Sequence, residues 1–235
     1  MGSEDRIRYH LRELETARNP DSPDHVMPVF RATDRAILDI GCGIGQTLVA
    51  GAVSPGALLV GVDCDRLCLQ YGRSHFGHVD FVNAAAENLP FADHTFDRVI
   101  SRVSLPYTDI PKALKEIGRV LKPGGTIWLT LHPFSQQFRH LGRSIVRLRF
   151  KDVVLRSYVL ANGLVFLCFG RVMKLPIHGS RESFQTKAAM ERALRHAGFD
   201  DISARRVPQF IMTASKPGLL PAFADDVSGK VDPAQ

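Results

Sequence analysis

A glycine-rich turn follows the first strongly apolar segment of the chain. Residues 37–45 read ILDIGCGIG, so Asp39 lies near the end of an apolar run and is followed by Gly41, Gly43 and Gly45 at alternate positions. Glycine lets the backbone approach a ligand without a Cβ in the way, and the N-terminus of a following helix offers free N–H groups. The spacing therefore predicts a strand, a ligand-binding turn and a helix, as in nucleotide-binding folds.

A second acid, Asp63, ends the next apolar run, LLVGVD. A carboxylate at that position can accept two hydrogen bonds from the hydroxyls of a ribose. Nicotinamide-dependent and S-adenosylmethionine-dependent enzymes both use such an acid, so the glycine spacing must separate them. A dinucleotide site usually has GxGxxG. Here GCGIG is followed by Gln46 and Thr47, and that third glycine is lacking.

Polar residues are also expected where further strands end. Ligands of doubly wound sheets bind beyond the carboxyl ends of the strands. The residues placed there are Arg102, Ser104 and Tyr107 after the fourth strand, His132 after the fifth, and Tyr9 and His10 from the N-terminal segment. His132 is predicted as a base or substrate contact, because imidazole titrates near neutral pH, and Tyr107 is the second catalytic candidate. The alternative for His132 is a histidine bonded only to backbone.

The elements that must position these residues alternate between β-branched runs and helical patterns. Strands are predicted at residues 36–40, 58–62, 79–82, 98–100 and 126–131, and helices at 46–52, 65–76, 110–121 and 186–197. The sequence KPGG at 122–125 is predicted to stop the third of these helices. Two strands at 202–207 and 209–214 should close the sheet as a hairpin around Pro208. The pattern predicts a Rossmann-like, doubly wound α/β fold with a seven-stranded, mostly parallel sheet and an antiparallel C-terminal hairpin strand.

About 50 residues separate the fifth strand from the 186–197 helix, which is too long for a plain connection. This insertion should hold a helix at 141–148 and an apolar run at 164–175. We predict a single domain, 1–235, with a helical segment (1–35), a cofactor-binding core (36–134), a substrate cap (135–185), a closing helix and hairpin (186–216) and a mobile tail (217–235). Arg139, Arg143 and Arg147 recur on one helical face. The insertion could admit an apolar or anionic acceptor, touch a membrane surface, or form a second small core.

Charge is unevenly distributed along the chain, whose formal net charge is +6. Residues 135–206 contain about 14 Lys or Arg against about five Asp or Glu. Such a surplus indicates either an anionic partner or a basic face that only keeps the protein soluble.

Cysteine usage and the N-terminus bear on location. The four cysteines, Cys42, Cys64, Cys68 and Cys168, form no CxxC pair, so we expect reduced thiols, no metal site and a cytoplasmic protein. The polar N-terminus has no secretory pattern. The longest apolar stretch, GLVFLCFG at 163–170, is far shorter than the roughly 20 residues that cross a bilayer, so no transmembrane helix is expected.

Five ordered blocks of the sequence resemble the class I S-adenosylmethionine-dependent methyltransferases. They are DIGCGIG, VGVD, AENLPF at 86–91, TFDRVIS at 95–101 and EIGRVLKPGGTIWLT at 116–130. The resemblance runs from about residue 36 to 133 and continues more weakly from 183 to 216. It is greatest to the group related to the ubiquinone and menaquinone methyltransferases, called methyltransferase type 11.

The resemblance implies S-adenosylmethionine as cofactor and S-adenosylhomocysteine as product. It implies that the loop formed by Gly41, Cys42, Gly43 and Gly45 lines the methionine moiety, with Asp39 near its amino group. Asp63 would hold the ribose, Cys64 would lie beside the adenine, and Ala86 and Glu87 would meet the adenine edge through backbone groups. Ser101 would lie beside the sulfonium. Ala85 stands where relatives often have an Asp that contacts the adenine amine.

The function predicted from these features is methyl transfer to an unidentified small molecule, apolar or anionic. Residues 104–107, SLPY, resemble the [Asp/Asn/Ser]-Pro-Pro-Tyr signature of enzymes that methylate amines of nucleic acids, but they come about three residues late, which argues against a nucleic-acid acceptor. The residues also leave open a nicotinamide-dependent oxidoreductase and a non-catalytic binding module. The sequence does not reveal the oligomeric state.

Overall fold

The strands form one mixed sheet in the described part of the chain, which in this computed structural model comprises residues 2–132, 150–174, 181–206 and 209–218. In chain order the elements are α1 (Ser3–Arg18), β1 (Ala36–Ile40), α2 (Gln46–Ala50), β2 (Leu58–Asp63), α3 (Arg66–His75), β3 (Asp80–Asn83), β4 (Phe96–Arg102), a 3₁₀ turn (Leu105–Tyr107), α4 (Ile110–Val120), β5 (Leu121–Leu131), α5 (Phe150–Phe169), α6 (Lys187–His196), β6 (Asp200–Arg205) and β7 (Phe210–Ser215).

The strand order is β3-β2-β1-β4-β5-β7-β6. The pairs formed by β1 to β5 are parallel, whereas β7 pairs antiparallel with both β5 and β6. Because the order reverses beside β1, the carboxyl ends of β1 and β4 open a crevice at the switch point. The predicted Rossmann-like, doubly wound α/β fold with an antiparallel C-terminal hairpin is confirmed.

Both faces of the sheet are covered, as the buried run AILDI of β1 requires. On one face Leu38 packs in a core with α4 residues such as Leu114 and Ile117. On the other face Ile37 packs with Leu48 of α2 and Leu69 of α3. α1 lies against α2 and α3, which brings the N-terminal segment to the edge where the glycine loop lies.

The start of β5 differs from the sequence prediction. Residues 122–125 are not a loop between α4 and a later strand, because the strand already begins at Leu121, directly after α4. Leu121 is fully buried and pairs with Phe96, so the chain must become extended at once to fill the core. The register shifts between Phe96 and Arg98, where the strand absorbs the KPGG sequence.

The insertion contains a helix that the sequence analysis missed. α5 spans 20 residues, where only an apolar run at 164–175 was expected. Its segment Asp152–Phe169 has a mean hydropathy of 1.5 and is long and apolar enough, by length and composition only, to cross a membrane. The expectation that no segment reaches that length, based on the eight residues 163–170, was therefore wrong. Asn162 and Gly163 interrupt the run of apolar residues, but the helix continues through them.

Some expectations fall outside the described residues. These are the helix at 141–148, the turn around Pro208 and the tail from 219 onward.

Candidate functional site

The glycine loop after β1 is held against the end of β2. The backbone N–H groups of Gly41 and Cys42 both donate to Val62 O, at 2.8 and 3.1 Å. Gly41 and Gly43 have φ angles of 71° and 56°, which side-chain-bearing residues rarely adopt. A Cβ on Gly41 would collide with Ser104, and one on Gly43 would collide with the His10 ring. The loop therefore needs glycine for its own conformation and for the close approach of two neighbouring side chains.

Asp63 connects this loop to α3. One of its carboxylate oxygens accepts from Gly43 N and the other from Asp65 N, both at 2.8 Å. Asp65 in turn caps α3 by accepting from Leu67 N and Cys68 N. A carboxylate has about four acceptor positions, so Asp63 keeps capacity for the hydroxyls of a ligand.

Asp39 is buried at the end of β1, with 1% of its surface exposed. Neither carboxylate oxygen has a partner that meets both the distance and the angle of a hydrogen bond in the part of the chain that the structure describes. Burial raises the pKa of this carboxyl to about 8, although nearby Arg102 and the Thr47 hydroxyl oppose that effect. Burying a carboxyl that lacks well-formed hydrogen bonds costs free energy, and a donor from a ligand would reduce that cost. The Asp39 carboxyl therefore marks a place where a cationic group of a ligand would fit.

A cavity of about 610 Å³ opens at the carboxyl ends of β1, β2 and β4. Its lining consists of Tyr9, His10, Glu13, Ile40, Gly41, Gln46, Val62, Asp63, Cys64, Ala84, Ala86, Glu87, Arg102, Val103, Ser104, Tyr107 and Thr108. The size falls in the range of pockets that bind small ligands.

α1 forms one wall of this cavity and is tied at three points, to the start of α3, to the end of β4 and to the start of α2. Arg6 pairs with Asp65 at 2.7 Å, Glu13 pairs with Arg102 at 2.9 Å, and Gln46 Nε2 donates to His10 Nδ1 at 3.2 Å. Burial lowers the pKa of His10, although Asp63, Asp65 and Glu13 oppose that shift. Lowering the pKa favours the uncharged ring, which can accept the Gln46 hydrogen bond.

The end of β4 turns sharply beside the glycine loop. Val103 has a φ of 63°, a strained angle for a β-branched residue. The turn brings Ser104 onto Gly41, where its hydroxyl donates to Ile40 O at 2.5 Å and lies 2.6 Å from Ser101 Oγ. Ser104 thus lines the cavity, and Ser101 is buried behind it.

Tyr107 and His132 meet at the opposite rim. Tyr107 Oη lies 3.1 Å from His132 Nε2, and the two rings are edge to face with centroids 5.6 Å apart. Partial burial raises the pKa of Tyr107 to about 12, Glu182 and Tyr9 add to the shift, and Arg156 opposes it. Tyr107 therefore stays protonated at neutral pH, and its hydroxyl can donate.

The structure brings only some of the predicted site residues to the cavity wall. Those that line it are Gly41, Asp63, Cys64, Ala86, Glu87 and Tyr107. His132 contacts the cavity residue Tyr107. The side chain of Cys42 points toward Gly61, and Gly45 lies against Phe81, so both support the loop from behind. Gly43 lies beneath His10.

Glu87 has an additional role that the sequence did not indicate. Its side chain accepts from Asp109 N at 2.7 Å and lies 3.8 Å from Arg181, so it joins the cavity wall to α4 and to the segment before α6.

The cavity residues that the sequence analysis missed include two polar side chains, Glu13 and Gln46. Glu13 follows Tyr9 by four positions on α1 and therefore shares its helical face, which is the signal that could have found it. Gln46 begins α2 directly after the glycine loop, where a side chain lies close to whatever the loop binds.

Comparison with known proteins identifies the family. The model of a family described as a methyltransferase domain matches residues 37–125. A demethylmenaquinone methyltransferase of Clavibacter sepedonicus is 31% identical over 191 residues, which are 79% of this chain and 74% of that protein. The chain belongs to the class I S-adenosylmethionine-dependent methyltransferases. Membership of this family implies S-adenosylmethionine as the cofactor, and it removes the nicotinamide-dependent alternative.

Further methyltransferases agree over shorter stretches. A demethylmenaquinone methyltransferase of Chlorobaculum parvum is 29% identical over 164 residues, and this chain spans 65% of its length. Among solved structures, a methyltransferase of Thermotoga maritima superposes with a TM-score of 0.55 at 18% identity, covering 91% of this chain and 94% of the other. One from Methanosarcina mazei gives 0.52 at 20% identity, covering 80% and 94%. At these sequence identities, the two superpositions show that the fold is shared.

Proposed function

We propose that this methyltransferase binds S-adenosylmethionine along the glycine loop and Asp63, and transfers its methyl group to a small acceptor beside Tyr107. The observation that carries the proposal is the buried Asp39 carboxyl, whose oxygens have no hydrogen bond of normal geometry among the described residues and which lies behind a cavity whose wall includes Asp63.

The residues present fit the cofactor. The ammonium of its methionine end would lie near the Asp39 carboxyl, and Gly41 lines the cavity beside it. The ribose hydroxyls would share the Asp63 carboxylate, which keeps acceptor capacity beyond its two backbone bonds. The adenine would lie beside Cys64 and Ala86, which line the cavity.

The bound cofactor supplies an electrophilic methyl group on a sulfonium, and the chain supplies alignment and a site from which water is excluded. α1 would help to exclude water, because its His10 side chain covers the glycine loop and two ion pairs hold the helix in place.

The acceptor would bind beside Tyr107 and Thr108, which line the cavity. Tyr107 can donate a hydrogen bond to an acceptor oxygen, and His132, in contact with it, is the side-chain type that most often takes a proton as general base. The names of the two demethylmenaquinone methyltransferases favour the reduced, quinol form of a quinone as the acceptor, an apolar ring that carries hydroxyls and can act as a nucleophile. Such a compound suits a cavity with both apolar and hydrogen-bonding walls.

Two measurements test the proposal. Isothermal titration with S-adenosylhomocysteine should give binding, and its absence at high micromolar concentration would refute the cofactor assignment. With S-adenosylmethionine that carries a radiolabelled methyl group, the protein should then transfer the label to a demethylated naphthoquinol. Tyr107→Phe should lower kcat without changing the affinity for S-adenosylhomocysteine, whereas Tyr71→Phe, which removes a hydroxyl on α3, should change neither. Equal kcat for wild type and Tyr107→Phe would remove Tyr107 from the acceptor site.

A further inference from the structure

α5 buries Asn162, a polar residue, on the side that faces the protein. Val159, Asn162, Gly163 and Phe166 recur at helical spacing and are buried. The Asn162 amide accepts from Met173 N at 2.7 Å and donates to Met173 O at 3.1 Å and Glu182 O at 2.9 Å. The Phe184 ring lies directly on Gly163, where a Cβ would collide with it. This inner face fixes α5 and the chain segments beside it to the rest of the molecule.

The outer face of α5 is apolar. Val154 and Leu164 are 54% and 52% exposed, and Ala161 and Cys168 continue the same exposed stripe, in which Ser157 is a small polar member. Phe169, at the helix end, is 74% exposed. Only 22% of the apolar segment Asp152–Phe169 is buried. A surface helix of a globular protein normally points its apolar stripe inward and its polar stripe to water, so an apolar outer face of this length indicates a surface that something else covers.

The chain on either side of α5 is basic. Residues 133–151 carry Arg139, Arg143, Arg147, Arg149 and Lys151 and no Asp or Glu. Residues 170–174, directly after the helix, carry Arg171 and Lys174, again without an acid. Arg171 and Lys174 are exposed at the end of the helix. Apolar side chains bracketed by cations complement a surface that presents acyl chains beneath anionic headgroups.

A groove at the C-terminal end of α5 has the same mixed character. It has a volume of about 580 Å³ and is lined by apolar residues that include Phe169 and Ala193 together with the cationic side chains of Lys115 and Arg192. An anionic amphiphile fits such a groove better than a purely polar or purely apolar ligand does.

The packing of α5 decides how it would meet a bilayer. Phe166 belongs to the main core, and Arg192 of α6 donates to the carbonyl oxygens of Phe166 and Leu167. A helix that keeps these contacts cannot cross the membrane, but it can lie parallel to it. We infer that the outer face of α5 docks in the plane of an anionic lipid membrane, with Val154 and Leu164 toward the acyl chains. The inference does not depend on the identity of the acceptor.

Vesicle co-sedimentation of the full chain tests this surface. The protein should bind phosphatidylcholine vesicles that contain phosphatidylglycerol, bind pure phosphatidylcholine vesicles more weakly, and dissociate as the salt concentration rises. Leu164→Glu should reduce the vesicle affinity by about tenfold or more, because a carboxylate replaces a side chain that inserts. Replacing Arg171 and Lys174 together by Gln should weaken binding only to the vesicles with anionic lipid.

Val29→Glu is the matched control, because Val29 is 81% exposed in the segment that connects α1 to β1. It should bind vesicles as wild type does. The melting temperature and the affinity for S-adenosylhomocysteine should be the same in Leu164→Glu and wild type, so that a fault in the cofactor site is recognised separately. The inference would be refuted if the wild-type protein did not bind anionic vesicles, or if Leu164→Glu bound them as tightly as wild type does. So would a wild-type dimer that Leu164→Glu converts to a monomer, since the face would then join two copies of the chain.

Discussion

Glu13 Oε2 lies 2.9 Å from Arg102 Nη2, and this ion pair joins α1 to the carboxyl end of β4. The Arg102 side chain is only 9% exposed, so Glu13 compensates a guanidinium charge that is largely removed from water. Arg102 is also close enough to Asp39 to lower the pKa of that carboxyl against the effect of burial. The pair therefore connects the helix that covers the cavity with the charge state of the acid beneath it.

We expect Glu13→Ala to lower the free energy of unfolding by about 1 to 3 kcal/mol, because it leaves a largely buried guanidinium without its carboxylate. Urea unfolding measures the effect. Asp5→Ala is the control, since its pair with Arg8 on the same helix is exposed and 3.8 Å long, and it should cause no measurable change. Equal losses in the two variants would mean that the burial of Arg102 does not matter.

Cofactor binding should release a proton from Asp39. With a pKa of about 8, this carboxyl is mostly protonated at neutral pH, and the ammonium of S-adenosylhomocysteine would favour its ionised form. We expect release of close to one proton per ligand near neutral pH. Titration calorimetry in buffers of different ionisation enthalpy measures the number. Asp39→Asn should release none, and an unchanged proton count in that variant would assign the proton elsewhere.

The same shift makes stability depend on pH. Because the folded-state pKa of Asp39 is raised, the folded protein retains a proton that the unfolded chain loses above about pH 4. The contribution of Asp39 to stability therefore falls as the pH rises from about 4 to about 8. Unfolding curves of wild type should show this decline, and those of Asp39→Asn should show a smaller one. A steeper decline in the variant would contradict the assignment.

Asp63→Ala should weaken S-adenosylhomocysteine binding by about 1.5 to 3 kcal/mol, the scale of a hydrogen bond to a charged group. Part of the loss would come from the loop, since Asp63 also holds Gly43 N and Asp65 N. Calorimetric titration gives the affinity, and circular dichroism shows whether the fold survives. Asp80→Ala, an exposed acid at the start of β3, should bind normally. An unchanged affinity for Asp63→Ala would exclude it from the site.

Gly43 and Gly56 allow a matched comparison. Both have positive φ, but a Cβ on Gly56 would meet nothing within 4 Å, whereas one on Gly43 would meet His10. We expect Gly43→Ala to destabilise the protein more than Gly56→Ala does. Both variants strain the backbone, but only the Gly43 variant also displaces α1, through the collision of its Cβ with His10. Thermal unfolding measures both. Adding His10→Ala should recover part of the difference, and no recovery would show that the loop backbone alone requires the glycine.

Much of the sheet and of the cofactor wall could be predicted, because their signals are local. β1 occupies residues 36–40 as predicted, since a short apolar run between polar segments has few alternatives. Asp63 was found from its place at a strand end. Neither inference required knowledge of distant contacts.

What escaped prediction depends on partners far along the chain. The Glu13–Arg102 pair joins the N-terminal helix to the end of β4, and nothing local in either segment indicates the other. α5 was missed because Asn162 and Gly163 resemble breaks in an apolar run. Asn162 is accommodated in the helix because it bonds Met173 and Glu182, which the sequence places 11 and 20 residues away. Ser104 rather than Ser101 lines the cavity because Val103 adopts a backbone angle that its residue type does not suggest.

Asn162 should therefore control the local stability of the insertion. Its side chain is fully buried and bonds both the N–H and the carbonyl of Met173, so Asn162→Ala would remove these bonds and the one to the Glu182 carbonyl. We expect faster hydrogen exchange at Met173 and in residues 181–185, with unchanged exchange in β1, because the insertion opens without global unfolding. Asn88→Ala, at an exposed position in the loop before β4, is the control and should leave all of these rates unchanged. If Met173 exchanges as slowly in Asn162→Ala as in wild type, the insertion is held by its apolar contacts, such as that of Phe184 on Gly163, and the buried amide contributes nothing to its opening.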